Sequence, residues 1–253
     1  MRTIRDTWLV FERSMWLTIH NPAWLIVGLL QPIVYLVLFA PLLNSLAQMP
    51  GFPPGGAFNV FVPGLLVLTA MFGTLFVGFG LLAELRAGVI ERMRVTPMSR
   101  IAMLLGRAFR DVVVFLVQAL LLVVLSLPFG LRVDPAGLLV SVGLLVLIGL
   151  VMAPFSYAVA LALRSEDAFA PLVNAIALPL MLLSGIMLPM SLAPAWLRTI
   201  ATLNPIYHAV LAVRALFNGG FGDPEVAIGV AVMTILAVVA VAVAARSFSR
   251  AVA

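Results

Sequence analysis

Between Arg13 and Glu84 the chain carries no Asp, Glu, Lys or Arg, and four more charge-free runs follow: Val112–Leu131, Pro135–Leu163, Ala168–Leu197 and Val226–Ala245. A helix crossing hydrocarbon needs about 20 apolar residues, so the first run has room for two such helices and each later run for one. Inside lipid no water is present to satisfy backbone N–H and C=O groups, which leaves the helix as the fold for isolated runs of this kind. Only 10% of residues are charged, and the apolar fraction is 64% with a mean hydropathy of +1.20. A soluble domain averages roughly 25% charged residues, too many for this chain to be one. The sequence therefore reads as a single all-α integral membrane domain over residues 1–253.

The turn-forming stretch Pro41–Gly56 (PLLNSLAQMPGFPPGG) divides the first run. The expected spans are 23–43, 59–82, 108–130, 136–162, 168–190 and 226–246. The apolar run Thr199–Val213 contains Asn204-Pro205 and, at 1.5 Å per residue, reaches about 22 Å, short of a hydrocarbon core of about 30 Å. Residues 191–218 are accordingly expected to form a re-entrant or interfacial pair of short helices between the fifth and sixth spans.

Six spans put both termini on one side of the membrane. That side holds Arg2, Arg5, Arg13, Arg86, Arg92, Arg94, Arg100, Arg107, Arg110, Arg164, Arg246 and Arg250, whereas the other holds Arg132, Arg198 and Arg214. Such asymmetry in short loops marks the arginine-rich side as cytoplasmic, and the expected location is a bacterial cytoplasmic membrane, crossed many times. The first apolar run exceeds the hydrophobic stretch of an ordinary cleavable signal. The net charge of +5 and pI near 11.0 suit loops beside anionic lipid, and no nucleic-acid partner is expected. All 15 basic residues are Arg. A P-loop uses a Lys on the nucleotide phosphates, so the chain cannot carry a standard ATP site of its own. With no Cys, it has no disulfide or thiolate metal site.

Ile4, Trp8, Phe11, Met15 and Ile19 recur at helical spacing ahead of Asn21-Pro22. This pattern predicts an amphipathic helix over 3–20 lying in the headgroup region, either as an anchor alone or with its polar side on a cytoplasmic partner. The densest charge falls in Ala83–Arg107, between the second and third spans. There Leu85, Val89 and Met93 repeat at i, i+4 and i+8 among Glu84, Arg86, Glu91, Arg92 and Arg94. A short amphipathic helix is expected over about 84–96, closed by Thr96-Pro97. It is either a solvated connector or a handle that buries its apolar side against membrane or protein.

Two blocks resemble a known family. Gly88–Arg107 (GVIERMRVTPMSRIAMLLGR) is similar to the coupling-loop region of type-2 ABC exporter permeases, especially those related to daunorubicin-resistance efflux permeases. Leu180–Leu216 is similar to the family's fifth span and re-entrant helices through Ser184-Gly185, Pro189, Pro194, Trp196, Leu197, Asn204-Pro205 and Arg214. The outward loop between the first two spans is short and uncharged, which leaves no large external domain. The resemblance implies a dimer, with a second copy or a related permease, driven by two cytoplasmic ABC ATPase subunits that bind the ATP and Mg. It implies ATPase coupling through Glu84, Leu85, Arg86, Gly88, Val89, Glu91, Arg92, Met93, Arg94, Thr96 and Pro97. An outward gate is implied near Gly185, Pro189, Trp196, Asn204 and Pro205.

The spans have no charged residue near their middle, which argues against an ion-coupled antiporter. His20 and His208 are far apart, so no metal pair is expected, and no catalytic motif is present. Gln31, Thr69, Thr74, Gln118, Ser156, Tyr157, Asn174 and Ser184 are the polar residues of the spans, and interhelical hydrogen bonding is their usual role. Asn174 and Ser184, with the stripe Phe72, Phe76 and Phe79, are the candidates for a translocation path; the stripe serves equally as packing core. Expected overall is the permease subunit of an ATP-driven exporter of a hydrophobic or amphiphilic drug or lipid-like cargo. A membrane scaffold or assembly subunit without a cargo path is the alternative.

Overall fold

The computed structural model describes residues 2–21, 23–46, 48, 56–88 and 100–251. Among them there is no strand, and the helices run in the order α1 (Arg2–His20), α2 (Ala23–Leu46), α3 (Ala57–Leu75), α4 (Gly78–Arg86), α5 (Arg100–Ser126), α6 (Pro135–Leu163), α7 (Glu166–Leu182), α8 (Ala195–Ala201), α9 (Pro205–Phe217) and α10 (Pro224–Ala251). Local chemistry sets several of these boundaries. The Asp134 carboxylate accepts from the Gly137 N–H at 2.7 Å with Pro135 at the first helical position, which starts α6. The Asn204 side chain accepts from the Ile206 N–H at 2.9 Å with Pro205 behind it, which starts α9.

Helix α3 is the centre of the bundle. It is buried nearly all round, as expected of a helix apolar on every side, and packs against α2, α5, α6 and α9. Helix α10 lies along α6 and α9. Outward faces of α2, α5 and α10 expose large apolar side chains such as Leu38, Val124 and Val238, an arrangement suited to lipid as solvent. Helix α1 forms where sequence periodicity places it and packs on α5, where a Cβ at Gly106 would come within 2.7 Å of the Thr7 carbonyl. Ile4, Trp8 and Ile19 of its apolar face point away from the bundle.

Two expectations are corrected, the extent of the spans and the loop helix. Among the described residues, four helices are long and apolar enough to cross a membrane: Ala57–Arg86, Leu105–Phe129, Pro135–Leu163 and Pro224–Ala244. A fifth exists if α8 and α9, bent by 95°, count as one span, and Ile26–Phe39 of α2 is a shorter apolar helix. The helix expected over 168–190 stops at Leu182, because the Ser184 hydroxyl turns back to the Met181 carbonyl (2.6 Å) and Gly185 takes φ +72°. Its 17 residues reach about 26 Å, less than the hydrocarbon thickness of about 30 Å.

The second correction concerns the loop helix. Helix α4 ends at Arg86 and Gly88 adopts φ +64°, so a helix continuous from Glu84 into the loop is not present. Leu85 and Arg86 belong instead to the end of the second span. Val89, Glu91, Arg92, Met93, Arg94, Thr96 and Pro97 lie outside the described residues. Charge does enter the apolar bundle, toward its ends rather than its middle: Asp111 sits in the first part of the Leu105–Phe129 span, and Arg214 is buried in α9.

Candidate functional site

The polar groups of the bundle collect at its two ends, with a break in the second span between them. At the loop end, Arg107, Arg110 and Asp111 occupy i, i+3 and i+4 on α5, one helical face. Arg107 is buried and pairs with Glu84 of α4, so the two helices flanking residues 87–99 are tied to each other. Arg86 Nη1 lies 3.2 Å from Glu166 Oε1 at the start of α7. One turn deeper, Asp111 is 3% exposed, sits 3.2 Å from Arg110 Nη1 and accepts a hydrogen bond from the Tyr157 hydroxyl of α6. A carboxylate in an apolar span persists only with partners, and Asp111 has two. Asp111 thus ties α5 to α6 through Tyr157.

Midway, the second span is interrupted at Phe76–Val77, between α3 and α4. Phe79 N and Gly80 N donate to carbonyls three residues back, at 3.1 Å each. Phe72, Phe76 and Phe79 stack along this break with centroids 5.8 and 6.1 Å apart, and Phe79 meets Phe169 of α7 edge-on at 4.9 Å. All three are half-buried against the core, so packing and path lining meet in the same stripe. The Ser156 hydroxyl of α6 accepts from Gly78 N (2.9 Å) and donates to the Leu75 carbonyl (2.6 Å). Among the polar span residues, Ser156 and Tyr157 do make interhelical bonds. Gln31, Thr69 and Thr74 bond within their own helices.

At the opposite end, Arg214 is buried with its Nε 2.8 Å from the Val60 carbonyl and its Nη2 2.8 Å from that of Gly185 and 3.5 Å from that of Ile186. It therefore fastens α9 to α3 and to the turn after α7. The approach is close: a Cβ at Gly64 would stand 2.4 Å from the Ile186 carbonyl oxygen. Asn204 adds a second tie, donating from Nδ2 to the Leu180 carbonyl at 2.7 Å. Asn59 completes the knot through Asn218 Oδ1 (3.0 Å) and both backbone groups of Arg132. Beside it lies a cavity of about 490 Å³ whose wall includes Pro189, Arg198, Tyr207, Arg214, Asp223 and Glu225.

The sequence-derived gate residues divide accordingly. Gly185, Pro189, Asn204 and Pro205 gather around this knot, whereas Trp196 is 65% exposed on the outside of α8. The candidate path residues Asn174 and Ser184 do not meet. Asn174 is exposed and bonds the Ala170 carbonyl, while Ser184 is buried in the turn, where its hydroxyl also accepts from Ile186 N at 3.3 Å. Arg107, Arg110, Asp111 and Asn59 were not singled out from the sequence. The i, i+3, i+4 spacing of the three charges just ahead of a long apolar run was the available signal.

A family description, ABC-2 type transporter, matches residues 5–218. Over 217 residues the chain is 28% identical to the transport permease ycf38 of Cyanophora paradoxa, covering 85% of this chain and 75% of that protein. It is 29% identical over 223 residues to the daunorubicin resistance ABC transporter permease protein DrrB1 of Streptomyces coeruleorubidus, covering 83% and 75%. The doxorubicin resistance ABC transporter permease protein DrrC of Mycobacterium tuberculosis is 27% identical over 195 residues, covering 75% and 68%.

Proposed function

The chain belongs to the ABC-2 type transporter family, a family of membrane-spanning transporter subunits, and from that premise we propose that it is the permease half of an ATP-driven exporter. Two copies, or this chain and a related permease, assemble in a cytoplasmic membrane with two cytoplasmic ABC ATPase subunits. ATP and Mg belong to those partners, in keeping with a chain that has no Lys for a P-loop. The cargo class is a hydrophobic or amphiphilic drug or lipid-like molecule, in line with an apolar bundle and with relatives named for daunorubicin and doxorubicin resistance.

The observation that carries this reading is the framing of the Ala87–Ser99 loop. Glu84–Arg107 and Arg86–Glu166 tie the helix ends beside it to neighbouring helices, so a push on the loop is passed to α4, α5 and α7 together. Glu84 and Arg86 act in this framing, and the ATPase contact proper falls to Val89, Glu91, Arg92, Met93, Arg94, Thr96 and Pro97. Replacing both Val89 and Met93 with Gly removes their packing and about 1 kcal/mol of helix propensity per site. Pull-down of the ATPase and cargo-stimulated hydrolysis should both fall; wild-type levels of both would make the loop a plain connector.

In this reading the chain crosses six times, with α2 and the short α7 counted as crossings, so that this loop and both termini lie in the cytoplasm, α1 lies flat on the cytoplasmic surface, and the α8–α9 pair re-enters from outside as the gate. Tags at both termini should be shielded from protease in intact cells, while the Pro50–Gly56 segment should be accessible from outside. An external terminus would overturn the arrangement.

A further inference from the structure

Helix α6 touches both the break in the second span and the polar cluster at its loop end through two consecutive side chains. In an unbroken helix, Gly78 N would donate to Thr74 and the Leu75 carbonyl would accept from Phe79; the break removes both bonds. Ser156 supplies the missing partners from α6, its single hydroxyl accepting from Gly78 N at 2.9 Å and donating to the Leu75 carbonyl at 2.6 Å. The seat is tight, since a Cβ at Gly78 would stand 2.8 Å from Ser156 Oγ and 2.4 Å from the Phe169 ring. The next residue, Tyr157, donates its hydroxyl to the buried Asp111 of α5, whose neighbouring turn carries Arg107, the partner of Glu84 on α4. The contacts close a ring: α4 to α5 by Glu84–Arg107, α5 to α6 by Asp111–Tyr157, and α6 back to the head of α4 by Ser156.

We propose that Ser156 and Tyr157 are positioning residues that latch the break in the second span, so that loop movement turns α4 against α3 at Phe76–Val77 and shifts the Phe72–Phe76–Phe79 stripe. The latch rests on the reading of the Ala87–Ser99 loop as the ATPase contact. Ser156 sets where α4 pivots, because it is the group that satisfies the backbone on both sides of the break. Tyr157 makes the α5 leg of the loop move with that pivot. Neither side chain needs to touch cargo.

The chain has no Cys, so Ala83→Cys on α4 and Ala162→Cys on α6 give a spin-label pair without background. In the purified permease alone, Ser156→Ala and Tyr157→Phe are each expected to widen the distance distribution between these labels at least twofold relative to the narrow one of the latched parent. With the ATPase in vesicles, each should lower cargo moved per ATP roughly tenfold, the equivalent of about one hydrogen bond, while ATPase capture and basal hydrolysis stay within about twofold. The double variant should be no worse than the stronger single one, since both act along one chain of contacts. Unchanged distributions in both single variants overturn the latch, as does a double variant whose effects multiply. Failure of the unmodified chain to capture an ATPase contradicts the proposed function, and the label distances then still decide the latch.

Discussion

Arg214→Ala is expected to destabilise the gate end more than any other single truncation there. The guanidinium is 7% exposed and is shared among the carbonyls of Val60 on α3 and of Gly185 and Ile186 in the turn after α7. Hydrogen bonds to a charged group contribute about 1.5–3 kcal/mol each, and Gly185 and Ile186 lie in a turn with no helical donors in reserve. A loss of about 3 kcal/mol or more is expected, seen as a lower melting temperature in detergent and as defective export. Arg214→Lys keeps the charge but has no planar fork to span three acceptors, so it should recover only part of the loss. A melting temperature unchanged by Arg214→Ala would mean that α9 is fastened to α3 by packing alone.

The second large effect is expected from Asp111→Ala. It leaves Arg110 without its close carboxylate and Tyr157 without an acceptor, both within a span. Leaving the buried Tyr157 hydroxyl unsatisfied costs about 1–3 kcal/mol, and Arg110, whose side chain is 28% exposed, adds a smaller loss. Asp111→Asn still accepts from Tyr157 and should fall between Asp111→Ala and the unmodified chain. The comparison is made by thermal unfolding, with export per ATP measured on whatever fraction folds. Equal stability of all three would show that the bundle tolerates Arg110 unpaired.

Much of this architecture was legible because lipid imposes simple rules. Charge-free runs mark α2 and α6 within about three residues and the apolar parts of α5 and α10 nearly as well, although α5 itself starts eight residues early and the second span is broken into α3 and α4; Asn204-Pro205 marks the start of α9. Periodicity alone marks α1. The failures share a cause: hydropathy describes how a residue meets solvent, whereas pairing is decided by neighbours distant in sequence. Arg107, Arg110 and Asp111 resemble an exposed helix end until Glu84 and Tyr157 are brought to them. The early end of α7 is likewise set by a serine hydroxyl and one left-handed glycine within an apolar stretch, features a hydropathy window averages away. Asn174 and Ser184 share polar character and one charge-free run, but the helix ends between them at Leu182.

The most direct measurement uses inverted membrane vesicles containing the permease with its ATPase and a fluorescent amphiphilic amine such as an anthracycline. Because the loop face is then outside, ATP added to the medium should drive accumulation of the fluorophore inside. Accumulation should disappear with the Val89→Gly, Met93→Gly double variant and with a non-hydrolysable nucleotide. Stable capture of the ATPase with no ATP-dependent accumulation of any hydrophobic or amphiphilic compound tested would contradict an export role and make the chain an assembly subunit.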